Sequence, residues 1–534
     1  MPVELSVMRS SILAVLTGTT LLLGACSAPS DADDALKAAP EQATTGQNTA
    51  AETTTATEKT TATTYEFALE DYQVSPETHL PVRGSVTTAG HSNAPLVVVN
   101  HLRTFNCADD TFVYPCADGV DDVRADRGMH YLAEDLAEAG YTVVVPDLGP
   151  LWAPESPTQP YDQVEAWAGV VGAIRGELEA ANQGQSQHLD DSLAGMTDFS
   201  RTGVFMHSRS ALLGNKAAEM WPEVSLASYG GFYHVPEFPE DNFSPAPADV
   251  PTLTIDGQAD EDTSQAAADW LPEYVGQDRN TAALNFIVSG LGHNYINRVL
   301  SQREFDDRID DGEISDSGAA EHEEFLAEAL RLWFDQTLRG QDGPYPLQAD
   351  DELPAELAGR EASVYAATPA AAEQWIASEP EAQLPGSEAE FCRIYPSMNP
   401  VQYDDRCDFV DMGIVNSASV NARVQLTKSP VVVPVSSAGA ETLSMHMMPT
   451  GSREDGKKET KLEVTAIMDD GSRQQIPVPA PNPVLKDTTT ETSNGEYWIR
   501  TLRISLPETV KNRPISQLEI TGDGSIDLRA VDLY

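Results

Sequence analysis

The residues of this chain best placed to do chemistry are Ser208, Asp260 and His293. Ser208 lies in Val204-Phe205-Met206-His207-Ser208-Arg209-Ser210-Ala211, where a β-rich run stops and a helix-forming run, Ala211 to Met220, begins. A sharp strand-to-helix turn lifts a serine hydroxyl above the sheet edge and aims the next backbone N–H at a developing oxyanion. Serine is a weak nucleophile until a base takes its proton. His293, in the glycine-rich Gly290-Leu291-Gly292-His293-Asn294-Tyr295 after the apolar run Leu284 to Val288, is the base this layout offers. Asp260 follows Leu253 to Asp256 and Gly257, where a carboxylate can hold an imidazole in one tautomer. Asp256, Glu261 and Asp262 are near rivals, with Asp262 the runner-up.

An oxyanion needs two backbone donors. The N–H of Arg209, directly after the serine, is one. The loop after the strand ending at Asn100 supplies the other, from Leu102 or Arg103, with Leu102 preferred. His101 is read as a structural loop residue with no proton-transfer role. The guanidinium of Arg209 suits either an acidic substrate group or a plain cover over the helix start. No Cys-x-x-Cys or His-Glu-x-x-His motif occurs, so no metal or organic cofactor is expected.

These groups need a scaffold. Leu96 to Asn100 and Thr142 to Pro146 are continuous β-branched runs, typical of strands buried on both faces. The elbow strand, Val224 to Ala227, Leu253 to Asp256 and Leu284 to Val288 follow. Between them, Met129 to Ala139, Tyr161 to Ala181, Ala266 to Val275 and Ala319 to Leu338 carry apolar residues at helical spacing. Alternation of this kind predicts a parallel sheet covered by helices on both faces, with catalytic groups on loops at the carboxyl ends of the strands. The loops Gly149 to Tyr161 and Phe232 to Val250 are expected to shape the acyl pocket.

The chain order Ser, Asp, His is that of α/β-hydrolases. Further blocks make the chain resemble an actinobacterial, secreted branch of that family, loosely the dienelactone-hydrolase-like or lipase-like serine esterases. They are His101-Leu102-Arg103-Thr104-Phe105-Asn106-Cys107, Tyr114-Pro115-Cys116, Gly140-Tyr141-Thr142-Val143-Val144-Val145, Met206-His207-Ser208-Arg209-Ser210 and His293-Asn294-Tyr295-Ile296-Asn297. The resemblance covers about Pro95 to Leu338 and implies a Cys107–Cys116 bridge fixing the oxyanion loop. Three departures stand out: Leu102, Met206 and Ser210 occupy positions where the family pattern has glycine, which permits tight turns and close backbone approach. Ser210 is small enough to be benign, whereas Leu102 and Met206 would narrow the site or distort its donors.

The ends of the chain differ in character. Arg9, an apolar run from Ile12 to Leu23 and Leu23-Gly24-Ala25-Cys26 read as a signal peptide over 1–25. Its ending resembles the lipobox of bacterial lipoproteins, which implies lipidation of Cys26 and a membrane anchor. Residues 26–64, rich in Ala and Thr, read as a disordered stalk. The hydrolase domain is expected over 65–346, a helical or irregular connector over 347–385, and a β-sandwich-like domain, built from short strands between turn signals, over 386–534. That last domain suits carbohydrate or envelope binding and equally a packing or spacer role. Apart from Cys26, the cysteines are four: Cys107, Cys116, Cys392 and Cys407. In an exported chain their short separations favour two disulfides, Cys107–Cys116 and Cys392–Cys407.

A formal net charge of −51 excludes phosphate-rich partners, so no nucleic acid is expected, nor adhesion of the protein surface to anionic lipid. The acidic run Asp306 to Glu313 lacks EF-hand spacing and reads as a solvated loop. The expected function is hydrolysis of a small-molecule or lipid carboxylic ester through an acyl-enzyme, at the extracellular face of a bacterial cell membrane. The rival is a catalytically silent hydrolase-fold lipoprotein that binds envelope components, motivated by Leu102 and Met206. A peptidase or acyltransferase is a third reading. No motif sets an oligomeric state.

Overall fold

The computed structural model describes residues 61–153, 161–233, 245–306, 318–394, 419–450, 460–486 and 498–534, apart from positions 261, 264, 275, 277–278, 370, 372, 380–381 and 386–388. The expected signal peptide, Cys26, nearly all of the stalk, Glu261, Cys407 and most of the acidic run after Asp306 lie outside the described residues, as do 154–160 and 234–244 of the expected pocket loops. Among the described residues no helix is long and apolar enough to cross a membrane.

Ten strands form the central sheet: β1 (Thr63–Ala68), β2 (Arg83–Thr88), β3 (Ala94–Asn100), β4 (Thr142–Pro146), β5 (Thr197–His207), β6 (Ser225–Tyr229), β7 (Thr252–Gly257), β8 (Ala283–Val288), β9 (Glu356–Leu357) and β10 (Arg360–Ala367). Their order is β1-β2-β4-β3-β5-β6-β7-β8-β10-β9. The six strands from β4 to β8 are mutually parallel. The outer pairs are antiparallel, β1 and β2 at one side and β10 and β9 at the other. The sheet is therefore mixed, not wholly parallel as the sequence reading has it. The two-residue return between β9 and β10 forces antiparallel pairing there, because parallel pairing needs a long crossover.

Among the described residues, the helices of seven or more residues are α1 (His130–Glu138), α2 (Gln163–Asn182), α3 (Gly214–Met220), α4 (Ala266–Glu273) and α5 (Ala319–Arg339). Strand side chains alternate between faces. Val97 and Val99 of β3 join a core with Leu132 and Leu136 of α1 and Leu330, Trp333 and Phe334 of α5. Leu96 and Val98 join the opposite core with Trp167, Val171 and Ile174 of α2. The start of α2 is set by Asp162, whose carboxylate accepts the N–H groups of Val164 and Glu165.

Residues 347–385 are not a helical or irregular connector. They contribute β9 and β10 to the central sheet and a strand, Glu373–Ile376, to the second body. In that body all strand pairs are antiparallel. The long strand Ile515–Leu533 runs through it, pairing first with Val431–Val433 and Lys461–Met468 and then with Ser419–Leu426, Thr442–Pro449 and Glu373–Ile376. Val433, Val464 and Ile520 share one apolar core with Val424, Met445 and Leu528.

A buried polar chain joins the two bodies. The N–H of Ala366 on β10 donates to Thr501 Oγ1 at 2.9 Å, and that hydroxyl lies 3.0 Å from His446 Nδ1. His446 Nε2–H donates to Asp532 Oδ2 at 2.8 Å. Tyr365, Trp270 and Leu271 pack with Met448 and Ile499 around it. Replacing Thr501 by valine keeps the volume but leaves the Ala366 N–H and the His446 ring short of a partner. Thr501→Val should cost about 1–3 kcal/mol, read as a lower urea midpoint; an unchanged midpoint would show that the junction does not depend on this chain.

Candidate active site

Because β5, β6, β7 and β8 are adjacent, parallel and in register, the residues following β5, β7 and β8 emerge at one edge of the sheet. Those residues include Ser208, Asp260 and His293. β5 ends at His207, and Ser208 begins a tight helical turn, Ser208–Leu213, that leads into α3. Ser208 has φ +57°, in the left-handed region that a residue with a Cβ occupies only when its surroundings impose it. Its side chain is nearly buried, and its carbonyl accepts the N–H of Phe232 at 3.1 Å.

Asp260 and His293 are buried and joined, with His293 Nδ1–H donating to Asp260 Oδ2 at 2.8 Å. Asp260 Oδ1 also accepts the N–H groups of Asp262 (3.0 Å) and Thr263 (2.8 Å), and Oδ2 the Thr263 hydroxyl (2.9 Å). Burial pushes the Asp260 carboxyl up, but the facing imidazole and these hydrogen bonds outweigh it and hold the group below the usual carboxylate range. Donation at Nδ1 leaves Nε2 as the basic nitrogen. Nε2 faces Asp262 Oδ2 at 3.5 Å, a carboxylate largely exposed to solvent. No hydrogen bond joins Ser208 Oγ to His293 among the described residues. The structure thus brings Asp260 onto the imidazole, sets Asp262 on its other side, and places Ser208 at the same sheet edge without a hydrogen bond to Nε2.

The pair fits because Gly230 has no side chain. A Cβ there would lie 2.5 Å from His293 Nδ1 and 2.8 Å from Asp260 Oδ2, and Gly230 also has φ +51°. His207 adds a further tie that the sequence reading missed. Its Nε2–H donates to the main-chain oxygen of His293 at 3.1 Å, and the two rings lie 4.9 Å apart. Burial, reinforced by the His293 charge, drives the His207 imidazole well below its ordinary range, so it stays neutral.

Asp256 faces the neighbouring strand, where Asn285 Nδ2–H donates to its Oδ2 at 2.9 Å. Burial pushes its carboxyl up to about 7, with the Asp260 charge adding to the effect. Asp256 is thus a buried acid behind the Asp260–His293 pair.

Across the site, the loop after β3 is pinned. The Ser210 hydroxyl donates to the His101 main-chain oxygen at 2.6 Å, and both residues are buried. The Leu148 N–H donates to His101 Nε2 at 2.8 Å, so Nδ1 carries the proton and donates to Leu102 O at 2.8 Å. A disulfide joins Cys107 and Cys116 in the same loop. Cys392 is buried in the second body. Met206 is buried against Gly214 beneath the turn, inside the apolar core. Arg209 lies with its guanidinium 5.9 Å over the Trp152 ring and Nη2–H reaching Gln163 Oε1 at 3.4 Å. Among the described residues no group of three or more His, Cys, Asp or Glu is placed to hold a metal ion.

No family model matches this chain, and no curated protein does. Solved structures similar to it include an α/β serine hydrolase homologue from Coxiella burnetii, at 14% identity over 44% of this chain and 94% of that one, TM-score 0.26. A lidless α/β serine hydrolase from Xanthomonas campestris aligns at 16% identity over 46% and 91%, TM-score 0.25. An aminopeptidase from a marine-sediment Thaumarchaeota archaeon aligns at 9% identity over 88% and 96%, TM-score 0.27. Similarity this distant says nothing of substrate, and the chemistry has to be read from the side chains.

Two consequences are measurable. Gly230→Ala should push the imidazole off Asp260 and impose a strained φ, lowering any hydrolytic rate by at least about tenfold; a variant with wild-type rate would show that the pair tolerates displacement. For Asp256, the folded value of about 7 lies above the ordinary carboxylate value of 3.8. The folded chain therefore keeps a proton that the unfolded chain releases. This contribution to stability is present below pH 4 and is lost as pH rises to 7. Asp256→Asn has no such proton to lose, so its stability relative to wild type should improve by up to about 4 kcal/mol between pH 4 and pH 8. Urea titrations at the two pH values check this, and a pH-independent difference would contradict it.

Proposed function

We propose that this protein is a serine hydrolase that cleaves a carboxylic ester. The observation that carries the reading is the buried Asp260–His293 hydrogen bond at the same sheet edge as a serine held at positive φ. Ser208 Oγ attacks the ester carbonyl while His293 Nε2 takes its proton, and Asp260 keeps the imidazole in the Nδ1–H tautomer and steadies the imidazolium. The N–H of Arg209 and one N–H of the loop after β3 stabilise the oxyanion. That loop donor is Leu102, with Arg103 the alternative, since the carbonyls preceding both N–H groups are held by hydrogen bonds. The imidazolium then protonates the leaving alcohol. Water, deprotonated by the same histidine, attacks the acyl-enzyme and releases the acid. The first step needs Nε2 to bond Ser208 Oγ in place of facing Asp262, a tightening common when substrate binds.

The second reading is a catalytically silent binding protein. What favours it is the Asp262 carboxylate opposite Nε2 and the missing Ser208–His293 bond. On either reading, lipidation at Cys26 would tether the protein to the outer face of the cell membrane, a proposal supported by the sequence alone.

A fluorophosphonate probe separates the two. Wild type should label and Ser208→Ala should not. Hydrolysis of nitrophenyl esters by Ser208→Ala should fall roughly 10³-fold or more. No labelling of wild type, or equal labelling of both, would remove the enzyme reading.

A further inference from the structure

We propose that Ser210 is a positioning residue of the oxyanion hole, acting through His101; this rests on Ser208 being the nucleophile. The hydrogen bonds on the two sides of the site lead to it. The His101 ring has both nitrogens engaged, Nε2 accepting from Leu148 N–H and Nδ1–H donating to Leu102 O. With its ring fully used, His101 turns its own main-chain oxygen to the Ser210 hydroxyl, 2.6 Å away and 109 residues along the chain. Two successive carbonyls, those of His101 and Leu102, are therefore held by buried partners. Each peptide is planar and trans, so fixing a carbonyl fixes the N–H on the other side of the same plane. The N–H groups so fixed are those of Leu102 and Arg103, the two loop residues from which the second oxyanion donor has to come.

Ser210 stands two residues after the nucleophile, on the turn that also carries the first donor, the N–H of Arg209. One hydroxyl thus sets the distance between the two halves of the hole. Glycine at this position would allow the loop to approach but could not hold it. Donors placed before reaction stabilise the oxyanion without reorganising, and a donor turned away contributes nothing. The bond acts on the tetrahedral state, where the carbonyl oxygen becomes charged, and leaves ground-state binding alone.

The test compares wild type, Ser210→Ala and Ser210→Gly as full chains on a short nitrophenyl ester, with rates per site titrated by fluorophosphonate. Each variant should lose about 10- to 100-fold in kcat with KM within about twofold, and affinity for a trifluoromethyl ketone, which forms a tetrahedral adduct, should weaken by a similar factor. The glycine variant adds no bulk, so a folding defect confined to alanine leaves the comparison intact. Wild-type kcat in both variants, or a loss confined to KM, overturns the assignment while the hydrolase reading stands. A wild type that neither labels nor hydrolyses overturns both.

Discussion

The arrangement of this site depends on one buried hydrogen bond, from His293 to Asp260. A carboxylate taken wholly out of water is destabilising by several kcal/mol unless paired and hydrogen-bonded. Asp260 meets that condition with donors on both oxygens, from the His293 ring and from the backbone and hydroxyl of its own loop. The loop cannot relax without stranding the charge, and so the imidazole is held in place. The neighbouring backbone is shaped to the pair: Gly230 passes where a methyl group would collide with both residues, and a Cβ at Gly257 would lie 2.3 Å from Leu291 O. The approach of the β7 and β8 loops is thus set by main chain, which is stiffer than side-chain packing.

The strain at Ser208 is sustained by the same surroundings. A serine at φ +57° is unfavourable by itself, of order 1–3 kcal/mol. It persists because the residues either side of it are anchored, His207 to the His293 main chain and Ser210 to the His101 main chain. The turn therefore ties the loop carrying His293 to the loop after β3. Neutrality of His207 matters here, since a second charge 4.9 Å from the His293 ring would oppose formation of an imidazolium.

What could be read from the residues follows a physical division. The parallel strands were legible because burial on both faces demands unbroken apolar runs, as in Val97-Val98-Val99 and Val143-Val144-Val145, and parallel neighbours place their following loops together. Ser208, Asp260 and His293 could thus be placed at one sheet edge from order and spacing. The edge strands were not legible. β10 reads Arg-Glu-Ala-Ser-Val-Tyr-Ala-Ala, with only Val364 and Tyr365 as large apolar residues, inside a stretch whose Ala, Glu and Pro content resembles a linker. β1 has the same mixed pattern. The choice among Asp256, Asp260 and Asp262 depends on which way each carboxylate points, which spacing does not encode. The Ser210–His101 contact spans 109 residues and leaves no periodic trace. Its one signal is a small hydroxyl residue two places after Ser208, which by itself names no partner.

The second body bears on this site through α4. That helix begins at Ala266, directly after the loop of Asp260 to Thr263 whose donors hold the carboxylate. Its far end is gripped from the other body, where Arg529 Nε–H donates to Pro272 O at 2.7 Å and Trp270 and Leu271 pack with Met448 and Ile499. A spacer tethered by a flexible linker would leave α4 exposed along this face. Here Trp270 is nearly buried, and the β10 edge that would otherwise present unpaired backbone donates through Ala366 to Thr501. The element carrying the acid is consequently clamped between the central sheet and the C-terminal strands. Displacing the second body would expose apolar surface on α4 and free the end of the helix whose beginning sets Asp260, so the two bodies form one mechanical unit around the acid loop.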